Sequence, residues 1–475
     1  MLRNAGGCSV KQHKFAVVRG VLLRAAGSWR GFAVRRAGNL LASVQPYMKL
    51  AHPIALSCAI AVCLPTVSFA LGIRVADQDA RASARGNAFT ATADNPSAIY
   101  YNPAGITQLY SPSLNSPAFT PSLGGGKGAA PAQEESSGDG GGLRLRMGVY
   151  AITLGNEVNL SGGRGSLDIS HRWQAAASFY ATWKKEGSPL TFGFGMYSPY
   201  GFGVWYPENS PLRQLAISGS VAYTSLNPVV AWQVTDTLSI AAGPTINYAK
   251  VGLKRGILST FAGDAFEFEG TGWALGANAG IMWKPAPKHS IGLMYRSETQ
   301  VNFDGHSNTF IPTVISNREA ATANITFPQN VVLGYSYRPT PKWNFEVDVD
   351  WTDWDRLNTV TLNKSSGNVS LPFNWQSSFF YEFGASYRAD CGYTISAGYI
   401  YSENSVSNSS FNPLVPDSNR HILSAGIGKQ YKNWDFDLAY QYAFGPTRTV
   451  IQGSAADGTY KFNSHAVSIS AGYRF

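Results

Sequence analysis

No aspartate or glutamate occurs before Asp77, whereas nine basic residues (Arg3, Lys11, Lys14, Arg19, Arg24, Arg30, Arg35, Arg36 and Lys49) fall within the first 49 positions. Taking those nine from the chain's 38 lysines and arginines leaves 29, against 29 acidic residues, so the formal charge of +9 belongs to the leader. A nucleic-acid partner is therefore not expected, because such proteins carry their basic excess on the folded domain. Cysteine is nearly absent: Cys8, Cys58 and Cys63 precede residue 70 and Cys391 stands alone after it. That excludes an intramolecular disulfide in the later chain. Neither histidine nor cysteine clusters at metal-ligand spacing, so no metal and no other cofactor is expected. Also missing is any apolar run of the ~18 or more residues a membrane helix needs.

Three features are present in the leader. Met48-Lys49 gives a positive start, Ile54 to Leu64 is an 11-residue largely apolar run, and Ser68-Phe69-Ala70 has the small-x-small form of a cleavage site. Residues 48–70 are expected to be a secretory signal peptide cut after Ala70. Residues 1–47 then read as a misplaced start or a leader extension. From Leu71 to Tyr110 there are small residues and turns with no sustained period. Its centre is Asp94 to Gly105, DNPSAIYYNPAG. Each Asn-Pro step forces the residue before proline out of the helical region, and Asn95 and Asn102 can bond nearby backbone groups, so compact turns are expected there. Residues 111–142 contain GGGKGAAPAQEESSGDGGG, too poor in apolar surface to fold alone, and read as a flexible insertion.

From 143 to 475 the pattern is alternation. Trp434, Phe436, Leu438, Tyr440, Tyr442 and Phe444 are apolar, and Asp435, Asp437, Ala439, Gln441 and Ala443 between them are charged, polar or small. The same rhythm places Glu346, Asp348 and Asp350 on the polar face of another strand, as lumen lining rather than catalytic groups. Fourteen strands are marked this way, near 143–160, 171–184, 189–200, 214–233, 237–253, 270–284, 290–303, 323–338, 342–362, 373–388, 392–402, 419–431, 434–446 and 460–475. Short connections alternate with longer ones, the latter including 254–269, 304–322 and 363–372. The runs exceed the ~5 to 6 residues usual for soluble strands, which argues against a soluble sandwich. In lipid an open strand edge would leave backbone groups unsatisfied, so the sheet must close. The expected fold is all-β: an antiparallel transmembrane barrel of about 14 strands in the outer membrane of a Gram-negative cell, with residues 71–110 before it as an N-terminal plug inside its lumen or as an arm. On this face assignment an arginine should be costly at Leu438, which meets lipid, and nearly neutral at Gln441, which faces the lumen.

Asn102-Pro103-Ala104-Gly105, TFGFGMYSPYGFG (191–203), NPVVAWQVTDTLSIAAGPTINY (227–248), FPQNVVLGYSYRPTPKWNFEVDVDWTDWDRL (327–357) and VPDSNRHILSAGIGKQY (415–431) occur in one order. In these the chain resembles the FadL family of outer-membrane transporters for fatty acids and other hydrophobic compounds. It departs from that pattern in its long leader and its glycine-rich insertion. The resemblance implies a passive transporter, not an enzyme. It further implies capture of a hydrophobic small molecule between outer loops, movement of the plug, and lateral exit where the third strand kinks. Carried onto this sequence, the plug motif is Asn102, Pro103, Ala104 and Gly105, and the exit strand is marked by Gly193, Gly195, Pro199 and Gly201. Phe202, Val204, Trp205 and Tyr206, an apolar run in an outer loop that is costly to expose, read as an entrance groove or as loop-loop packing over the barrel mouth, and Asp417 and Arg420 as a head-group or plug contact or as part of a wall salt-bridge network. Other implied partners are outer-membrane lipid, lipopolysaccharide and the barrel assembly machinery, which reads a terminal aromatic such as Phe475. The protein is expected to be monomeric. A general porin-like channel is the alternative. An outer-membrane lipid hydrolase is a weaker one, because His171, His289, His306, His421 and His465 lie in no nucleophile motif.

Overall fold

The computed structural model describes residues 73–110, 140–168 and 173–475. The leader, the signal peptide over 48–70 and most of the glycine-rich insertion lie outside those residues. Fourteen wall strands follow one another. They are β1 (Gly142–Leu160), β2 (Trp173–Lys184), β3 (Leu190–Tyr197, resuming at Gly201–Trp205), β4 (Ser218–Gln233), β5 (Leu238–Arg255), β6 (Ala265–Ala286) and β7 (His289–Arg296 with Thr299–Ile311). After these come β8 (Ile315–Phe327 with Asn330–Tyr337), β9 (Trp343–Thr352 with Thr359–Lys364), β10 (Val369–Pro372 with Ser378–Arg388), β11 (Tyr393–Ser402), β12 (Arg420–Tyr431), β13 (Trp434–Phe444 with Arg448–Val450) and β14 (Gly458–Arg474). Each pairs antiparallel with its neighbours, and β1 closes the ring on β14 from Arg144↔Arg474 to Leu160↔Gly458. Closure removes the free edge that a sheet cannot expose in lipid, except above Phe179↔Met196, where β2 and β3 part.

Outward positions of β6 run from Trp273 through Leu275, Ala277, Ala279 and Ile281 to Trp283. Leu275 is 78 % exposed, and a tryptophan stands at each end of the apolar stretch, as in a lipid-facing band between two interfacial girdles. The short turns lie at the end where β1 begins and β14 finishes, which is the periplasmic side.

Three expectations change at the outer end. Residues 304–322, read as a loop, instead continue β7 and β8 as a hairpin turning at Pro312–Val314, and β6 begins at Ala265 within the supposed 254–269 loop. Above the bilayer the outer face turns polar (Asp304, His306) while Val301 and Phe303 stay buried inside. The greasy face therefore switches side, and the pattern sought for a lipid-facing strand ends early. Similarly Val369–Pro372 is strand within the 363–372 connection.

The facing of β13 is as expected, with Leu438 and Tyr440 exposed and Asp437 and Gln441 buried. The neutrality of Gln441 is not. Its amide donates to Asp77 Oδ1 (2.8 Å) and to the Ser83 carbonyl (3.2 Å) of the plug. Leu438→Arg should destabilise by ~2 to 4 kcal/mol near the midplane, and Gln441→Arg should cost ~1 to 3 kcal/mol because the longer side chain overfills the buried space between Asp77 and the Ser83 carbonyl. Unfolding midpoints of the two variants in detergent check both.

Candidate functional site: the plug seat and the break in the wall

Residues 73–110 run inside the barrel as turns and short helices. Helix α1 (Ala80–Ser83) is opened by Asp79, whose carboxylate accepts from the Arg81 amide. Helix α2 (Ala98–Tyr101) follows an Asx turn in which Asn95 Oδ1 accepts from the Ser97 amide (2.8 Å). Asn102 then joins plug to wall: its Nδ2 donates to the Thr90 carbonyl and to the Ile281 carbonyl of β6, both at 2.9 Å, while its Oδ1 accepts from the Ala104 amide. Pro103, which has no amide hydrogen to satisfy, opens a 3-10 helix over Pro103–Tyr110. At Gly105 a Cβ would meet Ala93 at 2.5 Å, so that turn needs a residue without one.

The carboxylates of β9 hold this segment. Glu346 Oε1 accepts from the amides of Ala91 (2.6 Å) and Thr92 (3.1 Å), and Asp348 Oδ2 from those of Phe89 (3.0 Å) and Thr90 (2.9 Å). Arg74 pairs with Asp350, and Arg85 with Glu346 at 3.2 Å. On the opposite wall Arg146 of β1, fully buried, bonds Asp79 of the plug together with Asp435 and Asp437 of β13. Arg81 reaches Asp437 at 3.1 Å. Asp77 meets no arginine among the described residues. It accepts from Asn87 and Gln441, and burial pushes its carboxyl above the usual range. Charge-assisted bonds of this kind are strong once formed, and removing one partner strands the other in a dry site.

The β9 and β13 acids, expected as polar lumen lining, do face the lumen, and there they form the seat of the plug. Sequence reading passed over Arg74, Arg81, Arg85 and Arg146. The available signal was arithmetic: lumen-side acids on β9 and β13 call for arginines, and three stand in the upstream segment.

Gly193 and Gly195, assigned to the kink, lie in regular ladder with β2 on one side and β4 on the other. A Cβ on Gly193 would meet Ile99 of the plug at 2.9 Å and Val229 at 2.8 Å, and one on Gly195 would meet Ile99 at 2.8 Å. They leave room for the plug. The break falls at Ser198–Tyr200, containing Pro199, between the two pieces of β3. There the strand bonds the plug instead of β2: Val75 N donates to the Pro199 carbonyl (2.8 Å), and Gly201 N to the Ile73 carbonyl (2.7 Å). Gln78 caps the break, donating to the Ser198 carbonyl and accepting from the Ser198 amide. The β2–β3 ladder runs only from Phe179↔Met196 to Lys184↔Thr191. Above it, the Gln174 side chain reaches across to the Gly203 carbonyl at 3.3 Å.

Phe202, Val204 and Tyr206 are buried and Trp205 packs partly buried against them, in an apolar cluster that fills the outer mouth with Leu212, Phe411 and Leu414. Tyr206 Oη donates to the Pro413 carbonyl (3.0 Å), joining two outer loops. The cluster descends to Tyr200 at the break, whose ring meets Tyr223 (5.2 Å), Phe327 (5.0 Å) and Trp354 (6.2 Å). Asp417 and Arg420 face each other at 3.4 Å, and Arg420 also donates to Ser402 Oγ. Their bonds are to wall and loop. A different arginine stands beside the break: Arg296 of β7, buried, lies over the Tyr100 ring (4.4 Å) and the Tyr197 ring (5.6 Å), and no carboxylate among the described residues pairs with it.

Comparison with known proteins matches residues 61–475 to the family described as outer membrane protein transport protein (OMPP1/FadL/TodX). A long-chain fatty acid transport protein of Salmonella typhi is 21 % identical over 381 residues, covering 70 % of this chain and 84 % of that protein. Outer membrane protein P1 of Haemophilus influenzae is 22 % identical over 332 residues, covering 60 % and 72 %. Among solved structures, a FadL homologue of Pseudomonas aeruginosa superposes with TM-score 0.70 at 16 % identity, covering 85 % of this chain and all of that one. The toluene transporter TbuX of Ralstonia pickettii does so with TM-score 0.61 at 15 %, covering 84 % and 98 %. At these identities the structural likeness shows the fold, and the match across most of the chain shows the family. A closed fourteen-strand barrel with a seated N-terminal plug, matched over 61–475, places this chain in the OMPP1/FadL/TodX family of outer-membrane transport proteins.

Proposed function

We propose that the barrel carries hydrophobic small molecules, long-chain fatty acids or aromatic hydrocarbons, inward across the outer membrane by diffusion, with lateral exit through the wall beside the break in β3. The observation that carries this is the continuity of the apolar cluster from the outer loops down to Tyr200. A hydrophobe finds there a dry path that ends where β3 has left β2, and a lipid exit at that point spares it a crossing of water. The plug closes the same place, because Ile73 and Val75 bond the broken strand, so passage requires the plug to shift. The fatty-acid and toluene transporters among the similar proteins set the substrate range. Within it Arg296, buried without a carboxylate partner, suits a carboxylate head.

Deleting Ser198–Tyr200 joins the two pieces of β3. Uptake should fall to background while detergent-solubilised protein still binds ligand, with heat-modifiable migration confirming a folded barrel. Unchanged uptake in that folded variant contradicts the lateral exit. Arg296→Met should weaken binding of a long-chain fatty acid roughly 10- to 100-fold and leave toluene binding unchanged. Equal losses for both ligands would remove the case for an acid head group there.

A further inference from the structure

The periplasmic rim is basic. Arg144, Lys284, Arg338, Arg388 and Arg474 stand at the last inward positions of β1, β6, β8, β10 and β14 or just beyond them. Parity fixes this facing. Arg144 is two residues from Arg146, Arg388 six from Glu382 and Lys284 two from Met282, all of which are buried. The lipid-facing positions at this level are Trp283, Trp343 and Trp434, so the cations do not serve lipid head groups. Acid is scarce. Asp94 reaches Arg338 (3.6 Å) and Arg81 (4.0 Å), and Asp435 is taken up by Arg146 and Arg81. Among the described residues no carboxylate side chain lies within ion-pair distance of Arg144, Lys284, Arg388 or Arg474, and Arg144 stands directly opposite Arg474 in the ladder. Like charges facing one another across a strand pair oppose folding unless something offsets them.

We propose that this ring is a docking surface for the acidic face of a soluble periplasmic protein. The charges are spread around the circumference, too widely for one small anion. The centre of the mouth is filled by the 3-10 helix, whose Thr107 bonds Ser239 and whose Tyr110 bonds Thr182. What remains is a broad positive rim, which suits complementary charge over a macromolecular surface and draws it in at long range.

Test it with fluorescent decaglutamate, titrated against the whole protein in neutral detergent, with a Gly-Ser peptide of equal length as control. Decaglutamate should bind and the control should not. Its affinity should fall at least tenfold between about 0.05 M and about 0.5 M salt, and at least tenfold in the Lys284→Ser, Arg388→Ser double variant, whose folding is checked by heat-modifiable migration. No preference over the control, or no loss in a folded double variant, overturns the proposal. Complete displacement by millimolar inorganic phosphate overturns it in favour of a small-anion site. A tenfold gain on deleting residues 111–139, which carry Glu134, Glu135 and Asp139, overturns it in favour of the chain's own segment.

Discussion

Arg146→Leu should release the plug from its seat while leaving most of the wall paired. Arg146 is the common partner of Asp79, Asp435 and Asp437. Without it three carboxylates face one another in a buried space with only Arg81 at its edge, where Arg81 meets Asp437 and Asp435. Breaking a buried pair from one side costs about 3 to 5 kcal/mol, and it leaves the plug held mainly by its bonds to the β9 carboxylates and by Asn102. The expected result is protease cleavage within residues 73–110 under conditions where the native protein resists, with the heat-modifiable shift retained. Arg146→Lys keeps one charge but loses the fork that bonds all three acids, so an intermediate sensitivity is expected. Native resistance in Arg146→Leu would mean that the seat does not depend on this residue.

The second large effect is steric. Gly398 of β11 stands opposite Gly384 of β10 in the ladder, and the plug turns against them at Gly86, whose φ is +62°. A Cβ on Gly398 would overlap the carbonyl carbon of Arg85 and the amide nitrogen of Gly86, and one on Gly86 would meet the Tyr399 amide nitrogen at 2.8 Å. Two backbones in contact cannot yield by a rotamer change. Gly398→Val should assemble as a barrel, since valine favours strand, but with the plug displaced and small hydrophilic solutes leaking through. Ala397→Val, one residue away and facing outward, should leave permeability unchanged. A tight Gly398→Val barrel would show that the plug does not press on this wall.

These two sites mark where sequence reading reaches its limit. Alternation with period 2 is a property of a single strand, so the wall was legible: fourteen strands in order, with short turns and long loops alternating. It blurred above the membrane, where β7 and β8 change their greasy face and where β6 and β10 begin inside expected loops. The seat was not legible, because it joins residues far apart in the chain. Glu346 meets Arg85 across 261 positions and Arg146 meets Asp437 across 291, and nothing local distinguishes a carboxylate facing water from one facing an arginine. The same applies to the strand glycines. Gly193 and Gly195 suggested a kink because glycine loosens a strand; they leave room for Ile99, and the break next to them is held by bonds from Ile73, Val75 and Gln78. Asn102 is an instructive middle case. Its turn chemistry follows from Asn-Pro alone, but its bond to the Ile281 carbonyl depends on where the barrel places β6.

On the proposed function the barrel is shut to water yet passes hydrophobes. Proteoliposomes containing the whole protein, loaded to report both a small sugar and a hydrophobic solute such as a long-chain fatty acid, test both halves on one preparation. The expected result is fatty-acid entry well above that of protein-free liposomes, with sugar entry indistinguishable from them. Sugar entry at rates typical of a porin, or fatty-acid entry no faster than through lipid alone, would contradict it.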